Sequence, residues 1–154
     1  MKEIERKFLL NKEDAMNFIS LTPSSLVRKL SIEQFYTQYT PLEIRFRRSE
    51  ENGKRVYYKT VKTGFGISRD EEEEEISFTS FENNIRGTNN VVNKVRYIID
   101  DLEFDFYPSG LAILEKEYPS IEEANSDIVD FKFIRKEVTG NKHYSNASIA
   151  KRRG

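Results

Sequence analysis

The sequence predicts a mainly β fold: an antiparallel barrel or sandwich of about eight strands with a few short helical covers. Three observations lead there. Runs rich in Tyr, Phe, Val and Ile recur along the chain, as in Ile32–Thr40, Glu43–Arg48 and Val56–Lys62. Turn-forming residues separate the runs: Pro41, Asn52-Gly53, Gly64 with Gly66, and Pro108-Ser109-Gly110. Within the runs, charged and apolar residues alternate with the period of two that a pleated strand imposes.

The elements follow in order. Glu3 to Phe8 (EIERKF) reads as a first strand, with Glu3, Glu5 and Lys7 on one face and Ile4, Arg6 and Phe8 on the other. Asn11 fits an N-cap, and Ala15, Met16, Phe18 and Ile19 give the helix after it one apolar face. Pro23 to Ser25 end that helix, and a second short helix is expected over Leu26 to Leu30. Asn52-Gly53 between two strand-like runs signals a hairpin. A long strand is expected from Ser68 to Phe78, then a mobile polar loop over Glu82–Asn90. Val91–Ile99, Glu103–Tyr107 and Ala112–Tyr118 read as three more strands. Ser120-Ile121-Glu122-Glu123 fits a capping box, and a short helix is expected near Ala147 in a polar tail.

Composition excludes several functions. The chain has 154 residues, most simply one domain over 1–154. Its 25 Lys and Arg nearly balance 26 Asp and Glu, so it lacks the basic field of a nucleic-acid binder, and no nucleic-acid partner is expected. There is no cysteine and a single histidine, His143, read as a surface residue; disulfides, thiolate sites and multi-histidine zinc sites are therefore excluded. Any metal must be a hard, oxygen-liganded cation such as Mg²⁺ or Mn²⁺. No apolar run approaches the roughly 20 residues of a membrane span, and the opening lacks a signal-peptide core. A cytoplasmic location with no membrane partner is expected.

The charged alternation allows two structures. In one, charged faces look outward around an ordinary apolar core. In the other, they point into a wide closed barrel whose apolar outer faces are covered by helices and loops. The charges come as i, i+2 pairs sorted by sign. Arg45 and Arg47 share a face, as do Lys94 and Arg96; Arg69 leads Glu71, Glu73 and Glu75 along one strand. Glu103 with Asp105, and Glu115 with Glu117, complete the series. Burying such sets without a ligand would be costly, whereas carboxylates on divalent cations and Arg and Lys on phosphates would be compensated.

Glu3-x-Glu5-x-Lys7 resembles the opening signature of the CYTH superfamily, the triphosphate tunnel metalloenzymes. The ordered series Arg45-x-Arg47, Lys62, Arg69-x-Glu71-x-Glu73, Lys94-x-Arg96, Asp105, Glu115-x-Glu117 and the terminal EVTGNKHYSN (Glu137 to Asn146) extends the resemblance from Glu3 to about Ala150. It implies an eight-stranded antiparallel β-barrel, a tunnel binding triphosphate and divalent metal, and so the inward-pointing arrangement. By the same resemblance Glu3, Glu5, Glu115 and Glu117 are expected metal ligands. Glu73 and Asp105, with Glu71 as near substitute for Glu73, are expected around a second, catalytic cation. Lys7, Arg45, Arg47, Lys62, Lys94 and Arg96 form the expected phosphate cradle, supported by Arg69. Catalytic roles fall to Lys7, Glu73 and Asp105. Lys59 lies on the opposite strand face from Lys62, and Glu75 is open to a merely exposed role. Lys142 and Tyr144 belong to a tail expected to close one tunnel mouth, although Gly140-Asn141 stands where relatives often carry an acidic residue.

The implied activity is metal-dependent hydrolysis of a triphosphate, inorganic triphosphate first. Adenylate cyclase, thiamine-triphosphatase and non-catalytic polyphosphate- or nucleotide-binding readings stand as alternatives. The partner is a small-molecule triphosphate, and apolar outer faces leave a homodimer open. No base-binding surface is evident; Tyr57, Phe65 and the Glu82–Asn90 loop are the candidates, each with a core or turn role as the competing explanation.

Overall fold

A computed structural model describes residues 1–152 apart from 65 and 89. The aromatic and β-branched runs become strands: β1 (Lys2–Leu10), β2 (Arg28–Gln38), β3 (Glu43–Glu51), β4 (Lys54–Thr63) and β5 (Ser68–Ile76). They continue as β6 (Val92–Ile99), β7 (Leu102–Phe106), β8 (Ala112–Glu117) and β9 (Ile134–Glu137). Four short helices accompany them: α1 (Lys12–Leu21), α2 (Phe78–Ile85), α3 (Ile121–Ser126) and α4 (Asn146–Lys151). None of the described helices is long and apolar enough to cross a membrane.

The sheet order is β5-β4-β3-β2-β6-β7-β8-β1-β9, and a further β5–β1 pairing closes the first eight strands into an antiparallel barrel. Strand β1 is the closure. It lies along β8 from Glu5 to Leu9, meets β5 at Lys2–Ile4, and takes β9 beside Phe8–Leu10. The β3–β4 hairpin turns at Asn52 and Gly53, both at positive φ (52° and 78°), the conformation that makes Asn-Gly a strong hairpin signal.

Helices cover the outer faces. Asn11 caps α1 by accepting from the Asp14 amide at 3.0 Å, and Ala15 and Ile19 pack on Phe8, Phe104, Leu114 and Phe133. Helix α2 sets Phe81 against the stacked pair Phe35–Phe46. Ser120 caps α3 by accepting from the Glu123 amide, as the capping box predicts. Helix α4 covers no outer face: its Ile149 and Ala150 pack with Tyr36, Tyr107 and Ile113 at one end of the barrel.

Three sequence expectations need correction. The helix over Leu26 to Leu30 is only a 3₁₀ turn at Ser24–Leu26, because Arg28, Lys29 and Leu30 pair with Ile98, Tyr97 and Arg96 of β6. Strand pairing overrides local helix propensity there. The strand from Ser68 stops at Ile76, and the expected loop begins as helix α2, capped by Ser77 accepting from the Ser80 amide. Phe78, Phe81 and Ile85 carried the helical spacing that the polar Glu82-Asn83-Asn84 obscured. Strand β9 was not anticipated; it is four residues long and held at the barrel seam by β1.

Candidate functional site: a charge-lined tunnel

Directly paired residues of antiparallel strands share a face, so the register decides where the charges point. Tyr36, Arg45, Thr60 and Glu73 form one row across four strands. Gln34, Arg47, Tyr58 and Glu75 form the next. Lys7 pairs with Glu115, Glu115 with Glu103, Arg96 with Asp105, Lys62 with Glu71, and Glu3 with Arg69. The alternate rows carry Phe35, Phe46, Phe104 and Leu114 under the helices. Arg45, Lys62, Lys94, Arg96, Asp105 and Glu115 are all buried. The charges therefore point inward.

The cationic wall centres on Asp105. Both its oxygens are taken: Arg96 spans them at 2.7 and 2.8 Å, and Lys94 adds a bond of 2.8 Å. Burial alone would raise the Asp105 pKa, but Arg96 and Lys94 outweigh it and hold the group ionised. Glu115 lies 3.6 Å from Lys7 and 3.7 Å from Arg96. Burial opposes its charge as well, yet Lys7, Arg96 and Lys94 hold it well below the usual carboxylate range. Burial weighs most on two of the cations. Burial, with Arg45 and Arg96 nearby, lowers Arg47 to about 10, and Gln34 is its hydrogen-bond partner. Burial also brings Lys94 down to about 7, against the pull of Asp105 and with that of Arg96 and Arg47.

The acidic wall is built the opposite way. Glu3, Glu5 and Glu117 bring one carboxylate oxygen each within 4.8 Å of one another. Burial, with Glu115 and Glu3 close by, raises Glu5 to about 8. Burial, with Glu103 and Glu3, raises Glu117 to about 7. Glu3 is also raised, by burial and Glu71, although Lys62 reaches both its oxygens at 3.0 and 3.1 Å. Three crowded carboxylates that resist ionisation and converge within ligand distance suit a hard divalent cation.

The structure divides the expected acidic sets. Glu3, Glu5 and Glu117 come together, whereas Glu115 sits among the cations. Glu73 and Asp105, expected around one second cation, have different partners: Glu73 accepts from Thr60 at 3.2 Å and lies 3.8 Å from Arg45. Neither belongs to a converging group of three acidic ligands among the described residues. Lys62 also approaches Glu71 at 3.6 Å, and Arg69 approaches Glu43 at 3.4 Å. Glu75 and His143 are exposed, as allowed for. Arg6 stays on the outer face, where it grips Glu137 through two bonds.

Residues that sequence reasoning passed over share the lumen. Gln34, Tyr36 and Thr60 sit at inward register positions and Tyr107 packs with Tyr36 and Ile113; all are uncharged, so a search for paired charges missed them. Asn146, from α4, accepts from the Tyr107 hydroxyl at 2.7 Å and from Lys94 at 3.4 Å. Lys7 donates to the Tyr144 carbonyl at 3.4 Å, so the tail does close this end. The opposite end holds a cavity of about 410 Å³ whose lining includes Leu30, Ile32, Val56 and Tyr58 beside Arg47 and Arg96. Its lining also includes Arg28, Glu51 and Lys54, so the surface there is mixed rather than apolar. Tyr57 instead packs on Phe78 and Phe81, and Phe65 lies outside the described residues.

A closed antiparallel barrel with opposed cationic and anionic walls defines a charge-lined tunnel protein. The chain belongs to the CYTH domain family, whose family model matches residues 1–139. It is 30% identical to an inorganic triphosphatase of Nitrosomonas europaea over 161 aligned positions, covering 97% of each chain. The crystal structure of the inorganic triphosphatase NE1496 matches with a TM-score of 0.59 at 27% identity, over 96% of this chain and 93% of that one. The PH1819 protein of Pyrococcus horikoshii matches with a TM-score of 0.62 at 22% identity, over 80% and 82%, which speaks to the fold alone.

Proposed function

We propose that this protein is a divalent-metal-dependent triphosphatase that cleaves inorganic triphosphate with water to give pyrophosphate and phosphate. One observation carries the reading. Arg47, with no carboxylate at ion-pair distance among the described residues, and the converging carboxylates Glu3, Glu5 and Glu117 line the same barrel, so the lumen has a place for both an anion and a cation. A metal–triphosphate complex supplies both. The activity named for the relative and for the solved structure that this chain resembles, inorganic triphosphatase in both cases, supports the substrate class.

In this reading Lys7, Arg45, Arg47, Lys62, Lys94 and Arg96 bind the phosphoryl oxygens, with Arg69 steadying the rim through Glu43. Phosphoryl transfer asks chiefly for positioning and charge stabilisation, which a fixed set of buried guanidinium and ammonium groups provides. Glu3, Glu5 and Glu117 would hold Mg²⁺ or Mn²⁺, which as a Lewis acid neutralises phosphate oxygens. Asp105 and Glu115 keep the cationic wall folded and aligned, and Glu73 orders Thr60 beside Arg45. Lys62, bonded to both Glu3 oxygens, would be available to a phosphoryl oxygen where Glu3 served as a metal ligand.

The test is a substrate panel of inorganic triphosphate, ATP, thiamine triphosphate and pyrophosphate with Mg²⁺ and Mn²⁺, using Glu5→Gln as control. Phosphate release from inorganic triphosphate that fails in the variant is expected. Equal turnover by variant and wild type would overturn the site assignment. A second reading has its own observation. The mixed cavity, where Tyr58 and a few aliphatic side chains lie beside charged ones, would suit a triphosphate bearing an organic group, and cyclic AMP formation from ATP exceeding triphosphate hydrolysis would favour it. Binding without turnover would favour a phosphate-binding module.

A further inference from the structure

Gln34 is fully buried on the inner face of β2, opposite Arg47 of β3. Its Oε1 accepts two bonds from that guanidinium, from Nε at 2.9 Å and from an Nη at 2.7 Å. Arginine offers only donors, so the atom facing Arg47 must be the amide oxygen, and the orientation of the amide is set by chemistry. The NH₂ group must then face away from Arg47, and it has no hydrogen-bond partner among the described residues. A buried donor left without a partner loses its hydration with nothing in return. An apolar residue of similar volume would avoid that loss, as Ile32 two positions earlier does.

The neighbours point to what the amide donates to. Arg47 has no carboxylate within ion-pair distance among the described residues. The flanking inward positions of β2 face Arg45 and Lys94 across its two neighbouring strands. Gln34 itself faces Arg47 on one side and Val92 on the other, between the Arg45 and Lys94 rows, so its Nε2 is placed to meet an anion that Arg47 holds. We propose that Gln34 is a substrate-binding residue, its Nε2 donating to a non-bridging phosphoryl oxygen held by Arg47, while its Oε1 fixes that arginine. This rests on the triphosphate reading above and extends the cradle to an uncharged residue. Two functions on one amide explain why neither a charged nor an apolar residue would serve at this position.

A double-mutant cycle separates direct donation from the holding of Arg47. Binding of inorganic triphosphate in chelator is measured by calorimetry for wild type, Gln34→Met, Arg47→Met and the pair, with circular dichroism to confirm folding. Gln34→Met is expected to weaken binding about tenfold, and to weaken it several-fold further in the Arg47→Met background. No further loss in that background would reduce Gln34 to a prop for Arg47 and overturn the proposal. Should Gln34→Met fail to fold, Gln34→Glu keeps an acceptor on Arg47 but loses the donor. That variant is expected to melt no lower than wild type and to bind triphosphate more weakly; undiminished binding overturns the proposal. Absence of saturable binding by the wild type would remove the function reading and this proposal together. Wild-type binding with a null cycle would remove this proposal alone.

Discussion

Arg96 lays its guanidinium fork across Asp105, Nε to Oδ1 at 2.7 Å and Nη2 to Oδ2 at 2.8 Å, with the carboxylate fully buried. Lys94 completes the triad on Oδ2. Removing one partner from such a group leaves uncompensated buried charge, which costs about 3–5 kcal/mol. Asp105→Asn is therefore expected to be strongly destabilised in urea denaturation, with inorganic triphosphate recovering part of the loss. Because both Asp105 oxygens are engaged by cations, the Mg²⁺-induced shift in melting temperature is expected to survive this substitution.

The acidic cluster makes stability depend on pH. An unfolded Glu5 loses its proton near 4.5, whereas burial holds the folded one on to about 8. Between those values the folded state binds more protons, so stability falls as pH rises. Glu117, raised to about 7, adds the same sign, while Lys94, lowered to about 7, contributes the opposite slope above that pH. The metal-free protein is thus expected to lose roughly 5 °C in melting temperature between pH 5 and 7 and to level off above. Glu5→Gln should flatten the decline, and so should added Mg²⁺. A melting temperature that rises over this window would contradict the assignment.

Glu115 and Glu117 are two residues apart on one strand face, yet they have different neighbours: Glu117 converges with Glu3 and Glu5, and Glu115 lies by Lys7 and Arg96. Glu117→Gln is expected to weaken Mg²⁺ binding at least tenfold and leave the melting temperature of the metal-free protein at pH 7 unchanged or higher. Glu115→Gln is expected to lower that melting temperature by several degrees and to retain Mg²⁺ binding. Calorimetric metal titration beside thermal melts reads both variants, and equal behaviour of the two would refute the division.

Helix α4 is expected to matter for activity through Asn146. Asn146→Ala removes the acceptor shared by Tyr107 and Lys94, leaving a buried hydroxyl unpaired at a cost of about 1–3 kcal/mol. Turnover should fall with it. Ile149→Ala, which opens a void against Tyr36, Tyr107 and Ile113, should cost about 2–5 kcal/mol. Unchanged denaturation of Ile149→Ala would show that the helix does not plug the barrel.

The strands were legible because alternation and Asn-Gly chemistry are local signals, and the i, i+2 charge pairs named most of the lumen. The inward direction was not local. Outward and inward charges alternate identically; the sorting of the pairs by sign leaned toward the tunnel, and the resemblance of the Glu3-x-Glu5-x-Lys7 series decided for it. Division of the acidic residues was also out of reach. Whether Glu115 meets a metal or Lys7 depends on β1–β8 register, and Asp105 is bound to Arg96 across β6–β7. Gln34 and Asn146 were invisible for a different reason: an amide matters here only through which buried neighbours it meets. Helix α2 was hidden behind Asn-rich sequence, although its apolar spacing was present.

Strand β1 precedes the other described strands in sequence, yet its sheet partners are β5, β8 and β9. Glu5 lies opposite Glu117, so the carboxylates that would share a metal come from segments far apart along the chain. Contacts of such sequence separation are the slow ones to form, because loop closure costs entropy before the contact repays it. The acidic site is therefore as late to assemble as the barrel seam on which it stands.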